Sequence, residues 1–211
     1  MKKLLLFDID GTLLRAEHAT RTAINETFTI LFNPTELIES LSDSPFFAMT
    51  DLGLFRDAAI KMIGRPLTDK EYAAFVKIYA ERLREQLKTC KFYLMPGIAE
   101  LLPRLEEREN LILGLETGNH EAAANLKLDR AGIRRARRLD HGPLAEENIY
   151  VIGDAPHDII AGKKAGVNTI AVGTGTVDQT KVLAENPDNY FKDLTDVAAF
   201  LRCIGENDER N

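Results

Sequence analysis

Short apolar runs recur along the chain at residues 4–7, 111–115, 149–152 and 168–172, with a shorter fifth at Tyr190-Phe191. Runs of this length, bounded by turn residues, read as buried strands of a parallel sheet. The first four give way to polar or glycine residues: Asp8, Thr117-Gly118-Asn119, Gly153-Asp154 and Gly173-Thr174-Gly175. Between the runs the period changes to that of a helix. Ile98, Leu101, Leu102 and Leu105 form one apolar stripe after Pro96, a residue suited to an early helical position. A helix is expected from Glu121 to Ala131, closed by Gly132, and another from Ile159 to Ala165, closed by Gly166. The last spans Val197 to Ile204. Strand and helix in alternation predict an α/β fold, a parallel sheet with helices on both faces.

The stretch between Arg15 and Lys91 breaks this alternation. Asn33-Pro34 predicts a helix start, and Thr68 with Glu71 has the spacing of a capping box. Tyr72, Phe75, Val76, Tyr79 and Leu83 follow at helical spacing, and no strand is expected there. An all-helical domain at 15–92 is therefore inserted into a core built from 1–14 and 93–211.

Composition narrows the partners. The 211 residues are 45% hydrophobic, enough for a sizeable core, and 28% charged with a net charge of −6. An acidic balance argues against nucleic acid or an anionic membrane as partner. It leaves room for an anionic substrate, because a metal ion can invert the local field. Cys90 and Cys203 lack metal-ligand spacing and read as ordinary thiols of a reducing compartment. The apolar start is interrupted by Asp8 and Asp10 too early for a secretory signal, and no run reaches the roughly 18–20 residues of a membrane span. A cytoplasmic protein is expected.

In open α/β sheets, ligands bind beyond the carboxyl ends of the strands. Those ends collect Asp8, Asp10, Thr117, Asn119, Asp154 and Asp158. Acids so gathered repel one another unless a cation joins them, and oxygen ligands suit a hard ion such as Mg2+. The sharpest segment is Asp8-Ile9-Asp10-Gly11-Thr12-Leu13. In extended backbone the two Asp residues point to one side, and Gly11 permits a tight turn after them. One carboxylate can then attack phosphorus while the other manages protons.

Residues 8–13 match the Asp-x-Asp-Gly-Thr-Leu/Val motif of the haloacid dehalogenase-like hydrolases, which the chain resembles. Thr117 at the end of an apolar strand is similar to their second motif, and Gly153-Asp154-Ala155-Pro156-His157-Asp158 to their fourth. Met95-Pro96-Gly97 and the segment Ala161 to Val167 add to the likeness, which covers the core from end to end. The resemblance implies a Rossmann-like core with a small helical cap, and a phosphatase of the phosphoglycolate phosphatase type. It implies Asp8 as nucleophile and Mg2+ ligand, and Asp10 as acid and base whose carbonyl also binds the metal. Thr117, with the backbone at Gly11, Gly118 and Asn119, would hold phosphoryl oxygens; Asp154 would be a further metal ligand, supported from behind by Asp158. Phosphoryl transfer needs in-line positioning and neutralised oxygens, and this set supplies both.

The family's third motif is a Lys or Arg that pairs with nucleophile and phosphate. Lys127 is the candidate, against the alternative of a solvated helix lysine; Lys163 and Lys164 read as surface residues. Gly132 to Gly142, with Arg134, Arg135, Arg137 and Arg138, is shorter than relatives lead one to expect, by about 20–30 residues, as a deletion or an omitted loop. In the cap, Met49, Thr50 and Asp51 are candidate substrate contacts, with a capped helix start as the alternative. Phe46 and Phe47 read as cap core, His18 as a residue near the first loop, and His120, His141 and His157 as surface or capping residues. The expected partner is a small phosphorylated metabolite, and the expected state a monomer or homodimer. Asp10 argues against dehalogenation, which needs no proton donor. A sugar phosphomutase, a phosphonatase with a cap lysine (Lys61, Lys70 or Lys77) and an inactive binding module stay open.

Overall fold

The computed structural model describes residues 1–42, 44, 50–133 and 144–207. Asp43, residues 45–49, 134–143 and 208–211 lie outside it. With them go the readings made for Phe46, Phe47, Met49, His141 and the arginines of the short segment. The chain divides into two compact units.

The first unit is the sheet. β1 (Lys3–Phe7), β4 (Leu111–Leu115), β5 (Ile149–Gly153), β6 (Asn168–Val172) and β7 (Asn189–Phe191) form five parallel strands in the order β4-β1-β5-β6-β7. All five apolar runs are strands, within a residue of the expected ends. Helices α4 (Ile98–Glu106), α6 (Pro156–Lys164), α7 (Gln179–Ala184) and α8 (Val197–Cys203) flank them. This is the Rossmann-like α/β core. β1 sits between β4 and β5, so the strand order reverses about it and a crevice opens beyond its carboxyl end. The register aligns Phe7 with Leu115 on one side and Ile152 on the other. Asp8, the residues after Leu115, and Gly153-Asp154 therefore leave the sheet side by side. The sheet's buried face includes Leu5, Phe7, Ile152 and Ile170, with Phe200 of α8 stacked 6.4 Å from Phe7.

Gly97 precedes α4 at φ 89°, and a Cβ there would stand 2.0 Å from the backbone of Leu194. Leu194 donates its N–H to the Pro96 carbonyl, which fixes that close approach. Gly97→Ala combines left-handed backbone strain with a backbone clash, so it is expected to cost more than about 1 kcal/mol. Urea unfolding monitored by circular dichroism measures this, as a lower midpoint at unchanged slope.

The second unit contains α1 (Ala19–Phe32), α2 (Asp51–Ile63), α3 (Asp69–Thr89) and α5 (Glu121–Ala131). Its centre is aromatic: Phe75 lies 4.8 Å from Phe28 and 4.9 Å from Phe55, and Phe55 lies 4.8 Å from Tyr79. The stripe expected on α3 supplies Phe75, Tyr79 and Leu83 to this core. The capping box is present, with Thr68 accepting from the Glu71 N–H and the Glu71 carboxylate accepting from the Thr68 N–H. Asn33-Pro34 does not begin a helix. Asn33 takes a left-handed conformation (φ 46°) and ends α1, and its N–H donates to the Thr29 carbonyl. Asparagine tolerates that conformation at a helix end, and proline after it stops propagation.

Two short strands, β2 (Leu14–Ala16) and β3 (Phe92–Leu94), pair where the chain leaves and re-enters the sheet. α5, expected within the core, groups instead with the helices of the second unit. Ala123 and Leu126 pack into the aromatic cluster, and the Arg130 guanidinium donates to the Leu87 carbonyl. Its packing partners are thus the helices of the second unit.

Candidate active site

The site starts from a turn. After β1 the Ile9 carbonyl accepts N–H bonds from both Leu13 and Leu14, and the Gly11 N–H donates to the Leu14 carbonyl at 2.9 Å. Gly11 makes the turn possible at φ 101°, and a Cβ there would strike the Asp154 carboxylate at 2.6 Å. The loop thus lies directly against the acid that ends β5. Thr12 is fully buried and its hydroxyl donates to Asp154 Oδ1 at 2.8 Å.

Asp8, Asp154 and Asp158 each bring a carboxylate oxygen into one group, all within 4.8 Å of one another. They come from three backbone contexts: the end of β1, the end of β5 and the first turn of α6. Asp158 was expected behind Asp154; the fold brings it into the same group, while its Oδ2 also accepts the Ala155 N–H at 2.9 Å. Thr117, two residues beyond β4, hydrogen-bonds the Asp8 carboxylate through its side chain. Asp10 lies outside the triad of oxygens and is exposed.

Confinement perturbs all three acids. Loss of solvent holds Asp8 well above the ordinary carboxylate range, and the charges of Asp158 and Asp10 push the same way against the Thr117 bond. Asp154 is pushed up to about 7, mainly by burial and next by Asp8, against the Thr12 hydrogen bond. Asp158 is also pushed up to about 7, by burial first; the Ala155 amide opposes this, and the charges of Asp154 and Glu116 add to it. Three oxygen donors that resist sharing negative charge are suited to a divalent cation.

In the second unit, another set of expected residues comes together. Lys127 is 1% exposed, and its Nζ donates to Asn119 Oδ1 at 2.6 Å. It is a buried lysine tied to the segment after Thr117, unlike a solvated helix lysine. Asp51 is 6% exposed; its N–H donates to the Gly118 carbonyl and its Oδ2 accepts the His120 N–H, both at 2.8 Å. Asp51 thus pins residues 118–120. Thr50 caps α2, accepting the Gly53 N–H at 3.1 Å. The capped helix start weighed in the sequence is what these two residues make. His120 caps α5 through Nδ1; His18, His157, Lys163 and Lys164 are exposed. Sequence reasoning missed the tie of Thr12 to Asp154 and the charge of Glu116 near Asp158. Both neighbour named motif residues, and no local pattern tells which way their side chains turn.

The family model "Haloacid dehalogenase-like hydrolase" matches residues 5–139, and a HAD-hydrolase-like model matches 117–197. Pyrophosphatase PpaX of Listeria monocytogenes is 26% identical over 220 residues, covering 94% of this chain and 95% of that one. A hydrolase from Pseudomonas syringae superposes with a TM-score of 0.70 at 20% identity, over 96% of this chain and 99% of its own. CbbY from Rhodobacter sphaeroides, solved with phosphate, gives a TM-score of 0.71 at 16% identity, over 93% and 96%. At such identities the two solved structures speak for the fold. The family match, which spans more than half the chain and includes the loop that carries Asp8, shows that this protein belongs to the haloacid dehalogenase-like hydrolases.

Proposed function

We propose that this protein is a magnesium-dependent phosphatase that hydrolyses small phosphate monoesters by way of an aspartyl-phosphate on Asp8. The observation that carries the reading is the group of Asp8, Asp154 and Asp158 oxygens within 4.8 Å, with Thr117 bonded to Asp8. Asp8, Asp154 and the Asp10 carbonyl would hold Mg2+, with Asp158 supporting or joining them. Mg2+, when bound, neutralises phosphoryl oxygens and lets these carboxylates stay ionised side by side.

The protein's own groups do the rest. An Asp8 carboxylate oxygen forms a bond to phosphorus while the ester P–O bond breaks, and the departing oxygen takes a proton from Asp10. Asp10, now a carboxylate, removes a proton from water. The water oxygen attacks the same phosphorus, the Asp8–phosphorus bond breaks, and inorganic phosphate leaves. The exposure of Asp10 suits a group that meets both leaving group and water. Thr117, Gly11, Gly118 and Asn119 would orient phosphoryl oxygens, and Lys127 would offset their charge from its buried position on α5. Thr50 and Asp51 would act toward substrate through the 118–120 backbone that Asp51 holds.

The domain assignment we infer is a catalytic core of 1–14 and 93–211 and a helical cap of 15–92 that selects the substrate. The partner is a small phosphorylated metabolite, with no nucleic acid or membrane, and the protein is a cytoplasmic monomer or homodimer. No helix among the described residues is long and apolar enough to cross a membrane. The relatives named pyrophosphatase put inorganic pyrophosphate on the substrate panel beside phosphoglycolate and other monoesters. Lys61, Lys70 and Lys77 are all exposed, which does not favour a Schiff-base lysine and hence the phosphonatase alternative.

The test is turnover on that panel with Mg2+ and with excess chelator. Activity that needs the metal supports the reading; a purified protein that binds Mg2+ but turns over nothing rejects it. Lys127→Met keeps an unbranched chain of similar volume without the charge. It is expected to lower kcat/KM by roughly 100-fold or more, and steady-state kinetics on the best substrate would measure that.

A further inference from the structure

Beyond the motif residues, two hydrogen bonds join the Asp8 loop to the loop after β6, in opposite directions. The Thr174 hydroxyl donates to the Gly11 carbonyl at 2.5 Å. The Arg15 guanidinium donates through Nη2 to the Thr174 carbonyl at 2.9 Å. The third residue of that loop, Gly175, lies against the acidic group: a Cβ there would stand 2.0 Å from Asp154 Oδ2. The Arg15 charge also acts on Asp154, opposing the effect of its acidic neighbours.

We propose that Arg15 and Thr174 are positioning residues that clamp the Gly11 peptide, and with it Asp10 and the loop face of Asp154, in the geometry the reaction uses. The Gly11 carbonyl lies in the Gly11–Thr12 peptide, one residue beyond the Asp10 carbonyl, so holding it restrains the turn that joins Asp10 to Thr12, whose hydroxyl reaches Asp154. Inside the loop the fixed points are bonds to Ile9 and Leu14. They leave the outer side of the turn to Thr174. Arg15 then holds Thr174 in place, so each bond depends on the other. The residue types fit the task. A hydroxyl with a rotatable hydrogen can donate sideways from a loop whose own carbonyl is engaged. A guanidinium can give up one N–H to that carbonyl and keep its charge near the carboxylates.

The proposal rests on the phosphatase reading for its kinetic consequences, and its test has an arm that does not. Thr174→Val keeps the shape and removes the donor, leaving the Gly11 carbonyl without this partner. Expected results are a kcat lowered about 10-fold with KM changed less than about 2-fold, since the loss concerns orientation of reacting groups. Thr174→Ser restores most of the rate, and Arg15→Met resembles Thr174→Val. The double variant Arg15→Met/Thr174→Val is expected to lose little more than either single, because the two bonds form one unit. In the metal-free protein, amide hydrogen exchange at residues 9–14 is expected to quicken in Thr174→Val and Arg15→Met but not in Thr174→Ser.

Unchanged exchange in both variants overturns the clamp, whatever the enzyme does. Equal kcat in wild type and Thr174→Val, or losses that add fully in the double variant, overturns it as well. If wild type has no phosphatase activity, the functional reading fails while the exchange experiment still decides the clamp. A variant that does not fold leaves Thr174→Ser and Arg15→Lys for the same exchange measurement, where wild-type protection is expected and faster exchange counts against the proposal.

Discussion

Asp8→Asn is expected to lower turnover of every substrate by at least about 10⁴-fold, the scale on which loss of a covalent nucleophile acts. Asn keeps the size and the hydrogen-bonding reach of the side chain toward Thr117. It lacks the anionic oxygen that must bond to phosphorus. The variant is also expected to be no less stable than wild type without metal, because it removes one of three acids whose oxygens lie within 4.8 Å. Steady-state kinetics beside a thermal melt separate the two effects. Residual activity within 10-fold of wild type in protein free of contaminating phosphatase would take the nucleophile role from Asp8.

The second large effect is in pH and metal. Asp154 and Asp158 both sit near 7 in the folded protein, against an ordinary value of 3.8. Between these values the folded, metal-free protein binds more protons than the unfolded chain. Stability is therefore fully present below about pH 4 and is lost as pH rises through about 7. At about 1.4 kcal/mol per pKa unit, the loss between pH 5 and pH 8 is on the order of a few kcal/mol, or roughly 10 °C in Tm. Mg2+ should reverse the trend, since it binds the deprotonated group and competes with protons. Its stabilising effect is expected to be large at pH 8 and small at pH 5. Asp154→Asn should flatten the metal-free slope and weaken the response to Mg2+. Differential scanning calorimetry at the two pH values, with chelator and with Mg2+, tests all of this. A metal-free Tm that climbs from pH 5 to pH 8 contradicts the crowding of these acids.

The two results bear on different links of the same chain. Loss of turnover in Asp8→Asn speaks to chemistry, whereas the pH slope speaks to why the chemistry needs an ion. Burial makes the carboxylates costly to ionise, and the closeness that would let them share a cation adds mutual repulsion. The fold tolerates this because neighbouring donors hold two of them. The Ala155 amide and the Thr12 hydroxyl each stabilise one acid in its charged form.

The sheet could be read from the chain because its longer strands are largely buried, with even the half-buried positions of Leu4 to Phe7 and Leu111 to Leu115 apolar. Leu4 to Phe7, Leu111 to Leu115, Ile149 to Ile152 and Asn168 to Val172 then appear as near-continuous apolar runs. The acids at their ends were legible for the same reason, since a polar residue that closes such a run marks where the strand leaves the core. The stripe on α3 and its capping box are local signals and survived folding unchanged. Asn33-Pro34 misled because the pair is compatible with either end of a helix. Here Asn33 takes the left-handed backbone that ends α1.

What the sequence by itself determined is the order of strands and helices, the motif loop at Asp8 and the identity of the acids, all of which depend on neighbours a few residues apart. Tertiary structure alone decided which side chains meet. It brought Asp158 beside Asp8 and Asp154, turned Thr12 toward Asp154, buried Lys127 against Asn119, gave Asp51 to the 118–120 backbone, and set Thr174 against Gly11. Such contacts join residues tens to more than a hundred positions apart, or depend on how an element is turned. Strand register and helix packing fix them, and neither is written in any local stretch of the chain.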